Sequence, residues 1–372
     1  MSEPWPTPLQ EQVLLAGLGD GTEGSRALRA ASSAGGEDAL DDACLALLPL
    51  LYRRWAGSES ELVLAGKKAH LAVWRQNQDR LLHLASLVGD FEAAGIPVLV
   101  LKGAALVLRH YRDAGLRSMR DFDVLVHERD LDAAIGRLER AGYAAEGNYR
   151  KCDVLRRMRV GHAWQFSRGD QSCDLHWRPV VRCYSPEVTR LFWQGAESVT
   201  AADRAVRVPS PTEQLFHVCV HGLQWDWVPQ VRWIADALTV LGEPIDWDRL
   251  CHLAEAAAMR VRLSRALRYL QVRFAAPVPE GLAERLAGMA PRWEQREYRL
   301  LLERCPLGPW DSVAWHLHHF RRIRPFDAAW SHAPAWVGFP QYVGAFLDAR
   351  GFSAALRQLW LACKLRYKAR RA

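Results

Sequence analysis

The segment Asp121-Phe-Asp-Val-Leu-Val126 constrains the fold of this chain more than any other. Residues two apart on a β-strand project from the same face, so Asp121 and Asp123 are predicted to point the same way. Two like charges held this close raise each other's pKa unless a cation lies between them. Val124 and Val126 continue the segment into a core. The segment therefore predicts a strand that presents two carboxylates at one end, as a platform for a divalent metal ion does.

Size and composition are those of an ordinary water-exposed globular protein. The chain has 372 residues, of which 49% are hydrophobic and 24% charged, so two domains with a large core are expected. The 16 Trp predict large aromatic surfaces, buried or half-buried. A net charge of +7 favours anionic ligands such as nucleotides, but it is not the dense basic patch of a dedicated DNA-binding protein.

Targeting features are weak in this sequence. The eight Cys contain no Cys-x-x-Cys pair, which favours reduced thiols. The start, Met1-Ser-Glu-Pro-Trp, lacks the features of a signal peptide, and the apolar run Ala43 to Tyr52 is about half the length of a membrane helix. We therefore expect a cytoplasmic protein without membrane insertion.

Apolar periodicity predicts three successive regions. Residues 1–94 and 206–372 are predicted to be mainly helical, and residues 95–205 to form a small mixed α/β unit between them. Within the first region, Gly19 to Gly36 is rich in Gly, Ser and Ala and is predicted to be a loop. The remaining predicted helices are Leu9–Leu18, Ala39–Tyr52, Glu61–Gln78, Arg80–Ala94, Asp130–Arg140, Thr212–Gln224, Gln230–Leu241, Asp248–Phe274 with breaks, Gly281–Met289, Trp293–Glu303 and Ser353–Tyr367.

Two further pieces of the predicted α/β unit carry chemistry. The apolar run Ile96 to Leu101 predicts a buried strand, and Lys102-Gly103 follows it at the start of a helix, where backbone N–H groups and a lysine can hold a phosphate. Strands predicted at Trp164–Ser167 and Ser172–Trp177 place Asp174 and His176 on one face. A third carboxylate beside the first two would complete a site for two metal ions.

In order, spacing and residues these pieces resemble the uncharacterised bacterial nucleotidyltransferase family, a branch of the polymerase-β-like superfamily. The resemblance covers about residues 10–275 and is firm over 95–240. It implies an α+β fold, with a small mixed-sheet nucleotidyltransferase core flanked by N- and C-terminal helical regions. The matching segments are Leu101–Leu106, Arg117 with Asp121–Val126, Asp174–Trp177, Leu215–Gly222 and Val231–Leu238.

The resemblance also implies a function. A nucleoside monophosphate would pass from an NTP, most simply ATP, to a small-molecule, sugar or peptide acceptor, with two Mg²⁺ or Mn²⁺ ions as cofactors and no long nucleic acid as partner. Asp121, Asp123 and Asp174 would be the catalytic metal ligands. The nucleotide would contact Lys102, Gly103, Ala104, Arg117 and Arg120. Ala104 stands where many members of the superfamily have a serine that touches a phosphate.

Other interpretations stay open on the sequence alone. The protein could be a non-catalytic nucleotide-binding or regulatory protein with the same fold, or Arg117 and Arg120 could pair with the acidic strand. His217 and His221 share one helix face, but further zinc ligands are not evident, so together with His176 they are predicted to line the cleft or to pack. Walker and Gly-x-Ser-x-Gly motifs are not found, and no predicted strand leads into the glycine fingerprint of a dinucleotide-binding fold.

Overall fold

A computed structural model of the protein describes residues 5–19, 21–148, 151–223, 231–303 and 309–346. Its first region is helical, as predicted. Thr7 and Gln10 form a capping box at the start of the first helix, since each side chain bonds the other residue's backbone N–H. The helices are α1 (Pro8–Leu18), α2 (Gly21–Ser33), α3 (Asp42–Leu45), α4 (Leu48–Arg54) and α5 (Glu61–Glu92), with a 3₁₀ turn at Gly36–Ala39.

The loop prediction for Gly19 to Gly36 is wrong for most of that segment, which is the helix α2. Its small residues have a packing role: Ala27 and Ala31 are buried in the same core as α1. Glycine and serine are poor helix formers, but tertiary burial outweighs their propensity here. The loop was predicted from the low helix propensity of these residues, and the sequence alone does not show that α2 packs against α1.

Helix α5 joins the first region to the sheet. The two predicted helices, 61–78 and 80–94, are one continuous helix, because Asp79 between them does not break it. Leu62 and Val63 at its start pack into one hydrophobic cluster, and Leu84 and Phe91 at its end pack into another. Gly95 follows the helix with φ of 71°, as its predicted place after a helix C-terminus requires.

A five-stranded mixed sheet lies at the centre of the described chain. Its order is β1-β2-β5-β4-β3, and only β2 and β5 pair in parallel. The strands are β1 (Leu99–Leu101), β2 (Phe122–Leu125), β3 (Ala144–Ala145), β4 (Ala163–Arg168) and β5 (Gln171–His176). Between them lie α6 (Lys102–Leu106), a π-helical turn at Val107–Tyr111, 3₁₀ turns at Glu128–Asp130 and Glu146–Asn148, α7 (Leu131–Arg140) and α8 (Lys151–Arg157).

The sheet is buried on both faces. Leu99, Leu101 and Leu125 belong to the cluster shared with the N- and C-terminal helices, whereas Val100 and Val124 belong to the cluster shared with α5 and α7. Burial on both faces explains why β1 is a wholly apolar run rather than an alternating one. The mixed sheet between helices confirms the predicted α+β fold class.

The segment after β5 contains elements that the sequence did not predict. These are α9 (Pro186–Gln194) and an antiparallel hairpin formed by β6 (Glu197–Ala201) and β7 (Arg204–Val208). The hairpin turns at Ala202 and Asp203, both with positive φ, although neither is the glycine that usually indicates such a turn. The absence of that cue explains the missed hairpin.

The C-terminal region is helical, as predicted. Its predicted break falls at Ala258, which has φ of 51° between two helices. Ser210 is the N-cap of the helix that begins at Pro211. Thr212, in the first turn of that helix, accepts a hydrogen bond at its Oγ1 from the Asp246 N–H at 3.0 Å. The helices are α10 (Pro211–Gly222), α11 (Arg232–Val240), α12 (Trp247–Ala256), α13 (Arg260–Phe274), α14 (Leu282–Met289), α15 (Arg292–Tyr298), α16 (Pro309–Ile323), α17 (Ala328–Ser331) and α18 (Ala335–Phe346), with a π turn at Arg299–Glu303 and a 3₁₀ turn at Arg324–Phe326.

Three remaining points concern the whole chain. The predicted helix Ser353–Tyr367 lies outside the described residues. Within them, no helix is both long enough and apolar enough to cross a bilayer. Five of the cysteines are free thiols: Cys44, Cys173, Cys183, Cys219 and Cys251.

Candidate functional site

The parallel pairing of β2 with β5 brings two predicted acids side by side. Asp123 is directly opposite Asp174 in the register. The residues flanking Asp123, Phe122 and Val124, turn to the opposite face and are buried there against α5 and α7. The alternation of the strand therefore sends Asp123 toward the C-terminal helices, where its side chain is only 4% exposed.

Asp123 is bound by two neighbouring side chains. The Lys102 ammonium group donates to Asp123 Oδ1 at 2.5 Å, and His176 Nε2 lies 3.0 Å from the same oxygen. Burial would raise the pKa of Asp123, but the charge of Lys102 and the hydrogen bond with His176 outweigh burial and lower it. Asp123 is therefore ionised despite being buried.

The other two acids have less compensation. Burial, followed by repulsion from Asp123, raises the pKa of Asp174 to about 7, and the same two causes raise the pKa of Asp121. Asp174 Oδ1 is buried and has no hydrogen-bond partner in the described part of the chain. A buried carboxylate oxygen without a donor is the arrangement that a cation or a proton stabilises.

Asp123, Asp174 and His176 fit a divalent metal ion. Each offers one ligand atom, and these atoms all lie within 4.8 Å of one another. Carboxylate oxygens suit Mg²⁺ and Mn²⁺, and imidazole is a common ligand of transition metals. The sequence predicted Asp121 rather than His176 in this group; Asp121 lies outside that ligand group but lines the cavity beside it.

A cavity of about 450 Å³ opens above the acids, and most of the predicted site residues line it. The predicted residues among its lining are Lys102, Gly103, Arg117, Arg120, Asp121, Asp123, Asp174, His217 and His221. His176 and Ala104 do not line it, since both are fully buried. Ala104 packs in the cluster beneath the sheet, so its side chain is part of the core.

Arg117 is held by a partner that the sequence did not indicate. Its guanidinium group forms two bonds with the Asp236 carboxylate, at 2.8 and 3.0 Å, and the Tyr111 hydroxyl donates to the same carboxylate. Arg232 is four residues from Asp236 on α11, a spacing that allows an ion pair, but Asp236 bonds Arg117 instead. A Cβ on Gly103 would lie 2.6 Å from Arg117 Nη1, so the glycine makes room for this guanidinium.

Arg232 is a cation without an acidic partner among the described residues. Its Nη1 donates to the backbone oxygen and the hydroxyl of Ser118, both at 3.0 Å. Burial and the nearby Arg117 lower the pKa of Arg232 to about 10. Arg120 is exposed, lines the same cavity and is near enough to Arg232 to lower the pKa of Arg232 further. These two arginines form a cationic end of the cavity that suits phosphates.

One part of the wall formed by α10 and α11 is polar but uncharged. Gln214, His217 and Trp233 are each at most 5% exposed, and each has one buried polar atom without a partner among the described residues: Gln214 Oε1, His217 Nε2 and Trp233 Nε1. Burial, followed by the charge of Lys102, lowers the pKa of His221 to about 3, and burial also lowers that of His217. Both histidines are therefore neutral.

Histidine pairing at this wall does not form a zinc site. The rings of His217 and His221 lie 5.9 Å apart, and within the described residues neither belongs to a cluster of three possible metal ligands. Three residues that line the cavity were not predicted from the sequence: Gln214, Arg232 and Trp233. The apolar residues around them indicated a packed helix, and only the fold shows which face meets the cavity.

Comparison with known proteins agrees with this geometry. Residues 45–275, more than half of the chain, match the family described as uncharacterised nucleotidyltransferase. Searches of curated proteins and of solved structures give no match. The matched range contains β1, β2 and β5 and the helices α10 and α11, and so includes every residue of the site described above. The chain belongs to the uncharacterised nucleotidyltransferase family.

Proposed function

We propose that the protein transfers a nucleoside monophosphate from an NTP to a small-molecule, sugar or peptide acceptor and releases pyrophosphate. The observation that carries this proposal is the convergence of Asp123, Asp174 and His176 beside a cavity with a cationic end and a neutral polar wall. Residues 95–205 would form the catalytic core, flanked by helical regions at 1–94 and 206–372.

The residues around the acids suggest how the transfer proceeds. The acceptor oxygen attacks the α-phosphorus of the NTP, the bond from that phosphorus to the bridging oxygen breaks, and pyrophosphate leaves. Asp174 takes the acceptor proton, for which its unpartnered Oδ1 suits it. A divalent ion, Mg²⁺ or Mn²⁺, held by Asp123, Asp174 and His176 would supply Lewis-acid charge, and Asp121 is placed to assist with a second ion.

Phosphate binding would rely on side-chain cations more than on a hydroxyl group. Arg232, Arg120 and Lys102 all line the cavity, with Gly103 between Lys102 and the rest of α6. The position taken by serine in related enzymes is the buried Ala104 here. Arg117, fully engaged with Asp236, would shape this end and add to its positive field.

The acceptor is bounded by size and chemistry. A cavity of about 450 Å³ is in the range of small-ligand sites, which supports a small acceptor or a protruding group over a long nucleic acid. The unpartnered atoms of Gln214, His217 and Trp233 supply both acceptors and a donor for a hydroxylated or amide-bearing substrate. ATP is the first donor to examine.

One observation favours a second candidate, a nucleotide-binding protein without catalysis. In this structure Lys102 occupies Asp123 Oδ1, so that oxygen is already bound to a cation. A protein in which Lys102 never leaves would bind nucleotides at the arginines without turnover.

Pyrophosphate release decides between the two candidates. The full-length protein is incubated with each NTP, Mg²⁺ or Mn²⁺ and fractionated metabolite and peptide extracts, and acceptors are identified by their mass shift. The variants are Asp123→Asn and Asp174→Asn, with the exposed Asp132→Asn on α7 as matched control. Turnover by the wild type and Asp132→Asn alone supports transfer. Nucleotide binding without turnover in any extract supports the non-catalytic candidate.

A further inference from the structure

We propose that the Lys102 ammonium group holds the cation position between Asp123 and His176 in the free protein, and that a divalent ion displaces it toward the phosphate-binding end of the cavity. Lys102 would thus couple metal binding to nucleotide binding. This inference rests on the proposed function, because it places a divalent ion at these acids.

Two side-chain atoms that could ligate a metal ion lie close to the Lys102 ammonium group. Lys102 Nζ is 2.5 Å from Asp123 Oδ1 and 3.4 Å from His176 Nε2. Those same two atoms belong to the residues that, with Asp174, can ligate a metal ion. The lysine therefore marks a position where this protein already stabilises a positive charge.

The ring of His176 is fully buried. In the free protein its Nε2 donates to Asp123, and its Nδ1 lies 3.3 Å from the backbone oxygen of Arg178; when a metal ion takes the place of the Nε2 proton, Nδ1 can donate to that backbone oxygen. A ligating histidine is commonly fixed in this way, by donation from its second nitrogen to a backbone carbonyl. The histidine is thus oriented for a metal ion before one arrives.

An ammonium group and a divalent ion would compete for Asp123 Oδ1. Two cations beside one buried oxygen repel each other, because the low dielectric of the interior screens them little. Metal binding is therefore expected to displace Lys102 from Asp123. The side chain of Lys102 is 22% exposed and lines the cavity that Arg120 and Arg232 also line, so it has open space to move into.

The backbone at Lys102 is consistent with a position under functional constraint. Lys102 has φ of 46°, in the left-handed region that residues other than glycine rarely adopt. It is the first residue of α6 and directly follows β1, which pairs with β2 so that Leu101 is opposite Asp123. This conformation directs the lysine across the acids at the junction of strand and helix.

Two measurements on the nucleotide-free, full-length protein test the proposal. The first is Mn²⁺ affinity, read from the electron paramagnetic resonance of unbound Mn²⁺, for the wild type, Lys102→Met and the exposed control Lys68→Met. Removing a competing charge at a buried site should tighten binding by at least about tenfold in Lys102→Met and leave Lys68→Met unchanged. Equal or weaker affinity in Lys102→Met overturns the proposal.

The second measurement is the rate at which acetic anhydride acetylates Lys102, followed by peptide mass spectrometry with and without Mg²⁺. Release from Asp123 should raise this rate severalfold, while the rate of Lys68 stays constant. In Asp123→Asn the lysine should react fast without Mg²⁺. If adding Mg²⁺ leaves the acetylation rate of Lys102 in the wild type unchanged or lowers it, the proposal is overturned. This holds even if Lys102→Met binds Mn²⁺ more tightly, because charge repulsion without displacement of the lysine would then explain the affinity.

Neither measurement requires turnover. Release of Lys102 from Asp123 on metal binding, without any nucleotide transfer, would support this inference and contradict the proposed enzymatic function. A protein that releases pyrophosphate while Lys102 stays bound does the reverse.

Discussion

Two regions of the molecule bury charged and polar groups, and they differ in how completely these groups are bonded. In the C-terminal polar core, Arg322 Nε binds both carboxylate oxygens of Glu297, and its two other nitrogens reach the backbone oxygens of Ala257 and Ala258. In the same region the Tyr342 hydroxyl lies 2.6 Å from His319 Nδ1. One buried atom of this region, Glu294 Oε2, has no hydrogen-bond partner among the described residues, but no cavity that we describe is lined by these side chains.

Around Asp123 and Asp174 the buried polar groups are bonded less completely. Asp174, Gln214, His217 and Trp233 each keep one buried polar atom without a partner among the described residues, and all four residues line one cavity. Buried atoms of this kind cost free energy unless something bonds them. The difference teaches that the C-terminal polar core stabilises the fold, whereas the cavity keeps free bonding capacity at a cost in stability, as the proposed function requires.

The sharpest way to break this comparison is the substitution Asp123→Asn. We expect loss of activity by about 10³-fold or more, on the scale found when one member of a catalytic unit is removed. The pyrophosphate assay checks this, with circular dichroism to show that the variant is folded. Activity within a few-fold of the wild type would show that the acids have a structural role only.

The substitution Arg322→Met is expected to lower stability and leave activity unchanged. Breaking one partner of a buried ion pair leaves Glu297 uncompensated, which should lower the free energy of unfolding by roughly 3–5 kcal/mol. Urea denaturation measures this, and activity per folded molecule should stay at the wild-type value. A double variant, Arg322→Met with Glu297→Met, should recover part of the loss. An unchanged stability of Arg322→Met would contradict the role assigned to this core.

A smaller effect is expected from Arg232→Gln, which removes the cation without an acidic partner. KM for the NTP should rise about tenfold, as expected for one charge-assisted phosphate contact, while the free energy of unfolding changes little. The matched control is Arg268→Gln, since Arg268 is exposed and pairs with Glu284 on the surface. A KM equal to the wild type would place the phosphates elsewhere.

The last prediction concerns pH and Asp174 in metal-free protein. Its pKa is raised to about 7 in the folded state, against about 3.9 for an aspartate in an unfolded chain. Between these values the folded state binds more protons, so the contribution of Asp174 to stability is present at low pH and is lost as pH rises through about 7.

Urea denaturation with a chelator present, from about pH 5 to about pH 8, measures this contribution as the difference between the wild type and Asp174→Asn. The wild type should lose stability relative to the variant as pH rises. A constant difference across this range would show that Asp174 is solvated like a surface carboxylate.

The acids were predictable from the sequence because their chemistry is encoded locally. Alternation within one strand fixes the face of Asp123, and the motif containing Asp174 and His176 lies on a second strand with the same pattern. Lys102 is likewise fixed by its place directly after an apolar strand. For these residues a few neighbours carry the information.

The partners of the site residues were not predictable in this way. Arg117 pairs with Asp236, 119 residues further on, whereas Arg232, only four residues from Asp236, bonds Ser118. His176 was expected to line the cleft and instead contacts Asp123 from within the core. Such choices depend on how α10 and α11 pack over the sheet, and that packing is a property of the whole fold.

The parallel pairing of β2 with β5 has a consequence for how the protein reaches its native state. His176 and Asp123 are 53 residues apart in the chain, and everything from α7 to β4 lies between the two strands. Closing so long a segment costs entropy before any contact is gained, so pairings of this kind form slowly. The proposed metal site requires this pairing to be complete, so we expect the rise of Mn²⁺ binding during refolding to report the closure of the central sheet.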